Sequence, residues 1–196
     1  MFEPGVHRAP AVAGRFYAGD PTTLARQLDA CMPAATPDAA AQVCIGPHAG
    51  WVYSGRIYGE TLAQVDVPRR VIAIGPNHTG AGVAVSLWSG GAWDFPGFEV
   101  AIDRAMVERL YRSGLFEPDR AAHRDDHCLE VQVPFLVRRQ SQLRLTPIIL
   151  SRLSLERCRQ LGEFLAEAVS ASEEPVLLAI STDMSHFHSA AEAKTL

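Results

Sequence analysis

Apolar positions along this chain fall into short runs with two different periods. Val71–Ile74, Arg144–Leu150 and Val176–Ser181 are almost continuously apolar and bounded by polar, Gly or Pro residues, so they predict buried strands. Gln42–Ile45 reads the same way, Val83–Trp88 alternates as a half-buried strand does, and a loop from Trp93 leads to a short strand at Phe98–Ile102. Between these runs the spacing changes to three and four. Leu155, Leu161, Leu165 and Val169 predict an amphipathic helix over Ser154–Ser170. Asp20 with Pro21 marks a helix start, with the helix running from Thr22 to about Cys31, and Asp103 caps another that Gly114 closes after Ser113. Gly55–Val65 is a short helix after a Tyr53-Ser54-Gly55 turn, and Cys128–Arg139 is a helix that Pro134 must bend. Pro10–Pro21 is an extended lead-in and Pro33–Ala41 a linker. Ser89-Gly90-Gly91 turns the chain, and Glu117–Asp126 is a polar loop. Alternation of strand and helix predicts an α/β fold, one domain over residues 1–196, with a mostly parallel or mixed sheet flanked by helices.

Three of the strands run into a polar turn that carries histidine. The turns are Gly46-Pro47-His48, Gly75-Pro76-Asn77-His78, and Thr182-Asp183-Met184-Ser185-His186. Ligands in open α/β sheets sit beyond the carboxyl ends of the strands, so three imidazoles there can converge on one metal ion. His48 lies between Gly46 and Gly50, which allow close backbone approach to a ligand; otherwise its ring serves the turn. Asn77 either steadies a neighbouring ring or forms the turn itself. His186 is a ligand or an acid/base group, and Asp183 orients an imidazole, binds metal or caps the residues that follow. His188 points elsewhere. In Asp125-Asp126-His127-Cys128-Leu129-Glu130, His127 and Glu130 share a helix face if the helix starts there and are a candidate catalytic pair lining a pocket, with Glu130 as a base or an orienting carboxylate; by spacing alone the favoured reading is a solvated helix start with acids at its positive end. His7 and His123 read as surface residues.

Composition narrows the chemistry. The chain has 196 residues, 47% hydrophobic and 20% charged, enough for one sizeable core. A net charge of −4 gives nucleic acid or an anionic membrane no electrostatic footing as partner. There is no apolar leader near Met1 and no run of eighteen apolar residues, which makes the cytoplasm the expected location. The four cysteines are widely spaced: Cys44 and Cys158 read as packing thiols, and Cys128, beside His127, has the one setting that suggests reactivity. Imidazole and carboxylate donors favour zinc, iron or copper over magnesium or calcium. Phosphate-loop, dinucleotide, HExxH and GxSxG motifs are absent from the sequence.

Four motifs in order, Gly46-Pro47-His48-Ala49-Gly50-Trp51-Val52-Tyr53-Ser54-Gly55, Gly75-Pro76-Asn77-His78, His127-Cys128-Leu129-Glu130-Val131-Gln132-Val133-Pro134-Phe135-Leu136 and Ser181-Thr182-Asp183-Met184-Ser185-His186, closely resemble the Memo family, known in bacteria as AmmeMemoRadiSam system protein B. The opening Arg8-Ala9-Pro10-Ala11-Val12-Ala13-Gly14-Arg15-Phe16-Tyr17 matches too. The resemblance implies a fold similar to the LigB-like class III extradiol dioxygenases, which use one iron. By that likeness His48 and His78 fall on metal-ligand positions, His186 on the acid/base position with Asp183 beside it, and His127 and Glu130 on the pocket wall. The family continues past the equivalent of Leu196, where a cysteine replaces the dioxygenases' carboxylate ligand. The resemblance therefore implies that this chain is an N-terminal fragment or a truncated reading frame, with an incomplete metal site and exposed core surface.

The function expected is that of a Memo-like protein binding iron or copper, with redox or dioxygenase-like chemistry and an unknown substrate. The alternatives are a non-enzymatic peptide- or protein-binding module using the same crevice, and a zinc-dependent hydrolase. The bacterial family name implies radical SAM system proteins as partners.

Overall fold

A computed structural model describes residues 2–34 and 40–195. Among them the elements run β1 (Glu3–Arg8), α1 (Pro21–Cys31), β2 (Val43–Gly46), α2 (Trp51–Ala63), β3 (Arg70–Pro76), β4 (Val85–Leu87), β5 (Gly90–Phe95), β6 (Phe98–Ile102), α3 (Arg104–Arg112), β7 (Glu117–Pro118), α4 (Ala121–Arg124), α5 (Val133–Arg139), β8 (Arg144–Leu150), α6 (Leu155–Ser170), β9 (Val176–Ser181) and α7 (Ala190–Ala193). Most of the Pro33–Ala41 linker lies outside the described residues.

The strands form one mixed sheet in the order β1-β5-β6-β8-β3-β9-β2, with β4 and β7 off the side of β8. From β6 to β2 every pairing is parallel, while β5 runs antiparallel to β6 and β4 antiparallel to β8. Consecutive residues of β8, Leu145 to Ile149, are all buried, so helices cover both faces of the sheet centre. This is the α/β single sheet flanked by helices that the apolar periodicity predicts. The core gathers around Leu145, Ile148, Leu177 and Val71 in the strands, with Leu62, Leu110, Leu136 and Leu161 from the helices. At the sheet's edge β2 leaves Val43 and Ile45 exposed.

Helix starts follow their caps. Asp20 accepts from Thr23 N–H with Pro21 opening α1, Asp103 accepts from Met106 N–H, and Ser154 accepts from Arg157 N–H. The structure departs from expectation at four places. First, an unpredicted strand, β1, lies ahead of the Pro10–Pro21 lead-in and pairs with β5. Second, Gly90-Gly91 is not a turn but the first residues of β5. A Cβ at Gly91 would stand 1.9 Å from the Pro4 carbonyl oxygen, so the glycines there serve the close approach of β1. Third, α2 begins at Trp51 rather than Gly55. Trp51 N–H donates to the Phe16 carbonyl and its indole N–H to the Val131 carbonyl, which pins the first turn. Gly55 and Gly59 lie inside the helix because α1 packs against it; a Cβ at Gly59 would stand 2.2 Å from the Cys31 carbonyl oxygen. Fourth, Pro134 does not bend a helix begun at Cys128. It sits in the first turn of α5, where its missing N–H costs nothing, and Cys128–Gln132 form turns.

The polar stretch Glu117–Asp126 also holds more order than a loop, since β7 pairs with β4 and α4 follows. Asp119 organises it by accepting from Ala121 N–H, Ala122 N–H, Val83 N–H and the Ser86 hydroxyl.

Candidate functional site

Three adjacent parallel strands, β3, β9 and β2, end on the same edge of the sheet. Each places one polar side chain two residues beyond its last residue: His78 after Pro76, Asp183 after Ser181 and His48 after Gly46. The register aligns Ile45, Ile180 and Ile74, so His48 and Asp183 stand level above the sheet and His78 one residue further out. His127 comes in from the turn between α4 and α5. One ring nitrogen each from His48, His78 and His127 lies within 4.8 Å of the others. The His48 ring meets those of His78 and His127 edge-on, at centroid distances of 4.9 and 5.7 Å. His78 and His127 stack at 4.4 Å, and Phe16 packs on His127 at 4.8 Å.

Two of the rings are held from behind. His48 Nδ1 is 2.8 Å from the Ser181 hydroxyl, and the His48 backbone N–H donates to Asp183 Oδ1 at 2.8 Å. His78 Nδ1 is 3.1 Å from Asp126 Oδ1, while its backbone N–H donates to Asp126 Oδ2 at 2.7 Å. Gln132 Nε2 donates to the carbonyls of Gly46 and Pro47, which fixes the turn that carries His48. Burial alone would raise the Asp126 pKa, but donation from Cys128 N–H and His78 keeps it below its ordinary value, so the carboxylate is ionised. Burial lowers the His48 pKa to about 4; the attraction of Asp183 offsets part of this, and charge on His78 or His127 would lower it further. Burial and the neighbouring His78 lower that of His127 as well. At neutral pH His48 and His127 are therefore uncharged, with lone pairs available to a cation.

Asp183 faces two ways. Its Oδ2 lies 3.8 Å from His48 Nε2 and 3.5 Å from His186 Nε2. The His186 side chain is 58% exposed, at the outer end of this row, and faces the three-ring cluster across Asp183. Asp183 accepts a backbone hydrogen bond from His48 rather than capping a helix in its own segment. His188 is exposed and bonds Ser185.

Glu130 does not face the histidines. It is fully buried and its two oxygens accept from Ala11 N–H, Val12 N–H and the Tyr17 hydroxyl, with Arg8 Nη1 at 2.7 Å. A carboxylate so occupied ties the N-terminal segment to the site turn and has no lone pair left for a base. Its pairing with His127 by helical spacing fails because Cys128–Gln132 form turns, not a helix. Asn77 is the turn former: its Oδ1 accepts from Thr79 and Gly80 N–H, and its Nδ2 donates to the Ala81 carbonyl. The Cys128 thiol donates to the Pro76 carbonyl, and burial holds its pKa well above the usual thiol value, which removes the reactive setting its neighbours suggested.

Two expectations about remote residues also change. Cys158 is exposed on α6 rather than packed. His123 is not on the surface but fully buried against Trp88 and Trp93, and burial lowers its pKa to about 3. His7 is exposed and pairs with Asp94. Asp126 and Ser181 are the supports that spacing passed over. Asp126 stood next to His127 in the sequence, and its carboxylate beside an imidazole was the available signal. Ser181 had none, because it reads as the last residue of a strand.

An α/β sheet whose parallel strands deliver imidazoles and a carboxylate to their carboxyl edge defines a class of ligand- or metal-binding protein. Comparison with known sequences places the chain more narrowly: a family model described as "Memo-like protein" matches residues 8–194. A "MEMO1 family protein" of Aquifex aeolicus is 38% identical over 189 residues, 95% of this chain and 70% of that protein. Another, of Archaeoglobus fulgidus, is 36% identical over 181 residues, 92% of this chain and 68% of that protein. A third, of Sulfurisphaera tokodaii, is 35% identical over 202 residues, covering 92% and 70%. The chain belongs to the Memo-like family.

Among the described residues no helix is long and apolar enough to cross a membrane.

Proposed function

We propose that this protein binds one first-row transition metal ion, iron or copper, at His48, His78 and His127. The observation that carries this reading is the convergence of the three ring nitrogens within 4.8 Å at the carboxyl edge of the sheet. The donor set fits: imidazole is the ligand type suited to iron, copper and zinc, and the low pKa of His48 keeps its lone pair free at neutral pH.

A bound iron or copper ion would supply Lewis acidity and redox chemistry of the dioxygenase type. The chain's own residues then divide the remaining work. His48, His78 and His127 would hold the ion through their converging ring nitrogens, with Asp126 and Ser181 steadying His78 and His48 from behind. Asp183, between His48 and His186, steers a proton between the interior and the exposed His186 imidazole, which exchanges it with water. Phe16 shields the His127 ring from solvent.

The test is metal analysis and spectroscopy of the purified protein beside the double variant His48→Ala/His78→Ala. The expected result is near-stoichiometric metal in the native protein and none in the variant; equal metal in both would overturn the assignment.

A second reading has its own observation. Phe16 also lines an adjoining groove of about 680 Å³ with Arg15, Val52 and Tyr53, of which Val52 and Tyr53 are largely exposed. Such a groove suits a peptide or protein partner, with the histidines binding a side chain rather than catalysing. Radical SAM system proteins are the partners expected from the bacterial family name. Turnover of a small molecule that disappears in His186→Ala would exclude this reading.

A further inference from the structure

We infer that Ser181 is a positioning residue that fixes His48 in the tautomer protonated on Nδ1, leaving the Nε2 lone pair directed at the shared site. The inference rests on the metal-binding reading for its purpose, but its geometry stands apart from it. The Ser181 hydroxyl has one proton and two near neighbours: the Cys128 carbonyl oxygen at 2.7 Å and His48 Nδ1 at 2.8 Å. A carbonyl oxygen can only accept. If the hydroxyl proton turned to His48 instead, two oxygens would face each other at 2.7 Å with no hydrogen between them, which is repulsive. The proton therefore goes to Cys128, Ser181 Oγ accepts, and Nδ1 must carry the ring proton. Ser181 is 3% exposed and His48 2%, so water does not compete for either bond.

The same bookkeeping applies to His78. Asp126 accepts from Cys128 N–H at Oδ1 and from His78 N–H at Oδ2, as a carboxylate does, so His78 Nδ1 donates to it and Nε2 is again the free nitrogen. Both locks hang from one short segment: Asp126 supplies the carboxylate, and Cys128 the carbonyl that occupies Ser181's proton. Two imidazoles arrive with their lone pairs fixed, and the third is placed by packing on His78 and Phe16. Fixing the tautomer matters because a free imidazole divides its proton between the two nitrogens, and a misplaced proton must leave before the ring can ligate.

The experiment is nitrogen-15 NMR of the histidine rings in metal-free protein at neutral pH, with cobalt(II) affinity measured in parallel. In the native protein His48 should show a protonated Nδ1 and a bare Nε2. Ser181→Ala should lose that preference and weaken cobalt binding about 10–100-fold. Ser181→Thr, which keeps the hydroxyl, should restore both. A proton on Nε2 of His48 in the native protein overturns the inference, and needs no variant to be seen. An unchanged tautomer in Ser181→Ala overturns it as well. If the native protein shows the Nδ1 proton yet binds no cobalt, the lock stands and the metal-binding reading fails.

Discussion

Two histidine sites lie on either side of Arg8, a partly open group of three at the sheet edge and a single buried ring in the core, and they differ in how their ring nitrogens are engaged. In the first, His48 and His78 each have the inner nitrogen held, by Ser181 and Asp126, and the outer nitrogen turned toward a shared space. In the second, His123 is fully buried between Trp88 and Trp93, and neither of its ring nitrogens nor either indole N–H finds a partner among the described residues. His48 and His123 both have strongly lowered pKa values, and burial is the largest cause in each. Burial and a shifted pKa therefore do not distinguish a ligand from a core residue. What distinguishes them is a hydrogen-bonded back and an open front. Arg8 joins the two regions: its Nε donates to the His123 carbonyl, its Nη2 to the Asp126 carbonyl, and its guanidinium lies over the Trp93 ring at 4.4 Å.

The largest effect should come from breaking that joint. Glu130→Ala leaves Arg8 buried without its partner and strands the N–H groups of Ala11 and Val12, so a loss of about 3–5 kcal/mol in chemical denaturation is expected. A loss under 1 kcal/mol would show that the two clusters do not depend on this anchor.

Acid should act on the second cluster next. Burial lowers the His123 pKa to about 3 from the ordinary imidazole value near 6.5, so the unfolded chain takes up a proton that the folded chain refuses. Stability is then full above about pH 6.5 and falls as the pH drops toward 3, by roughly 2–4 kcal/mol from this residue. His123→Phe removes that dependence and should flatten the pH profile of denaturation midpoints while leaving metal affinity unchanged. A steep profile surviving in the variant would place the acid sensitivity elsewhere, with His48 the first candidate.

The first cluster should respond in affinity instead. Asp126→Asn retains the shape and loses the charge that holds His78, so metal affinity should fall about 10–100-fold by titration, with a smaller effect on folding. At the small end, His7→Ala removes an exposed histidine paired with Asp94 and should change stability by less than about 0.5 kcal/mol and metal affinity not at all. A drop in affinity there would mean that imidazole count, rather than convergence, governs binding.

The strands β3, β8 and β9, the helices α1, α3 and α6 with their caps, and the placing of His48, His78 and Asp183 just past strand ends were all legible in the residue pattern. These features are local: apolar runs, capping residues and turn chemistry act within a few positions, and parallel strands carry their following turns to the same edge. Tertiary structure decided the rest because the deciding partners are far apart in sequence. Gly90-Gly91 became a strand through the approach of Pro4. Glu130 became an anchor through Ala11, at a separation of 119 residues. His123, in a polar stretch, was buried by tryptophans from β5 and the turn before it, together with Arg8 from β1. The orientation of each imidazole depended in the same way on hydrogen bonds from Asp126 and Ser181, 48 and 133 residues away, which no local pattern encodes.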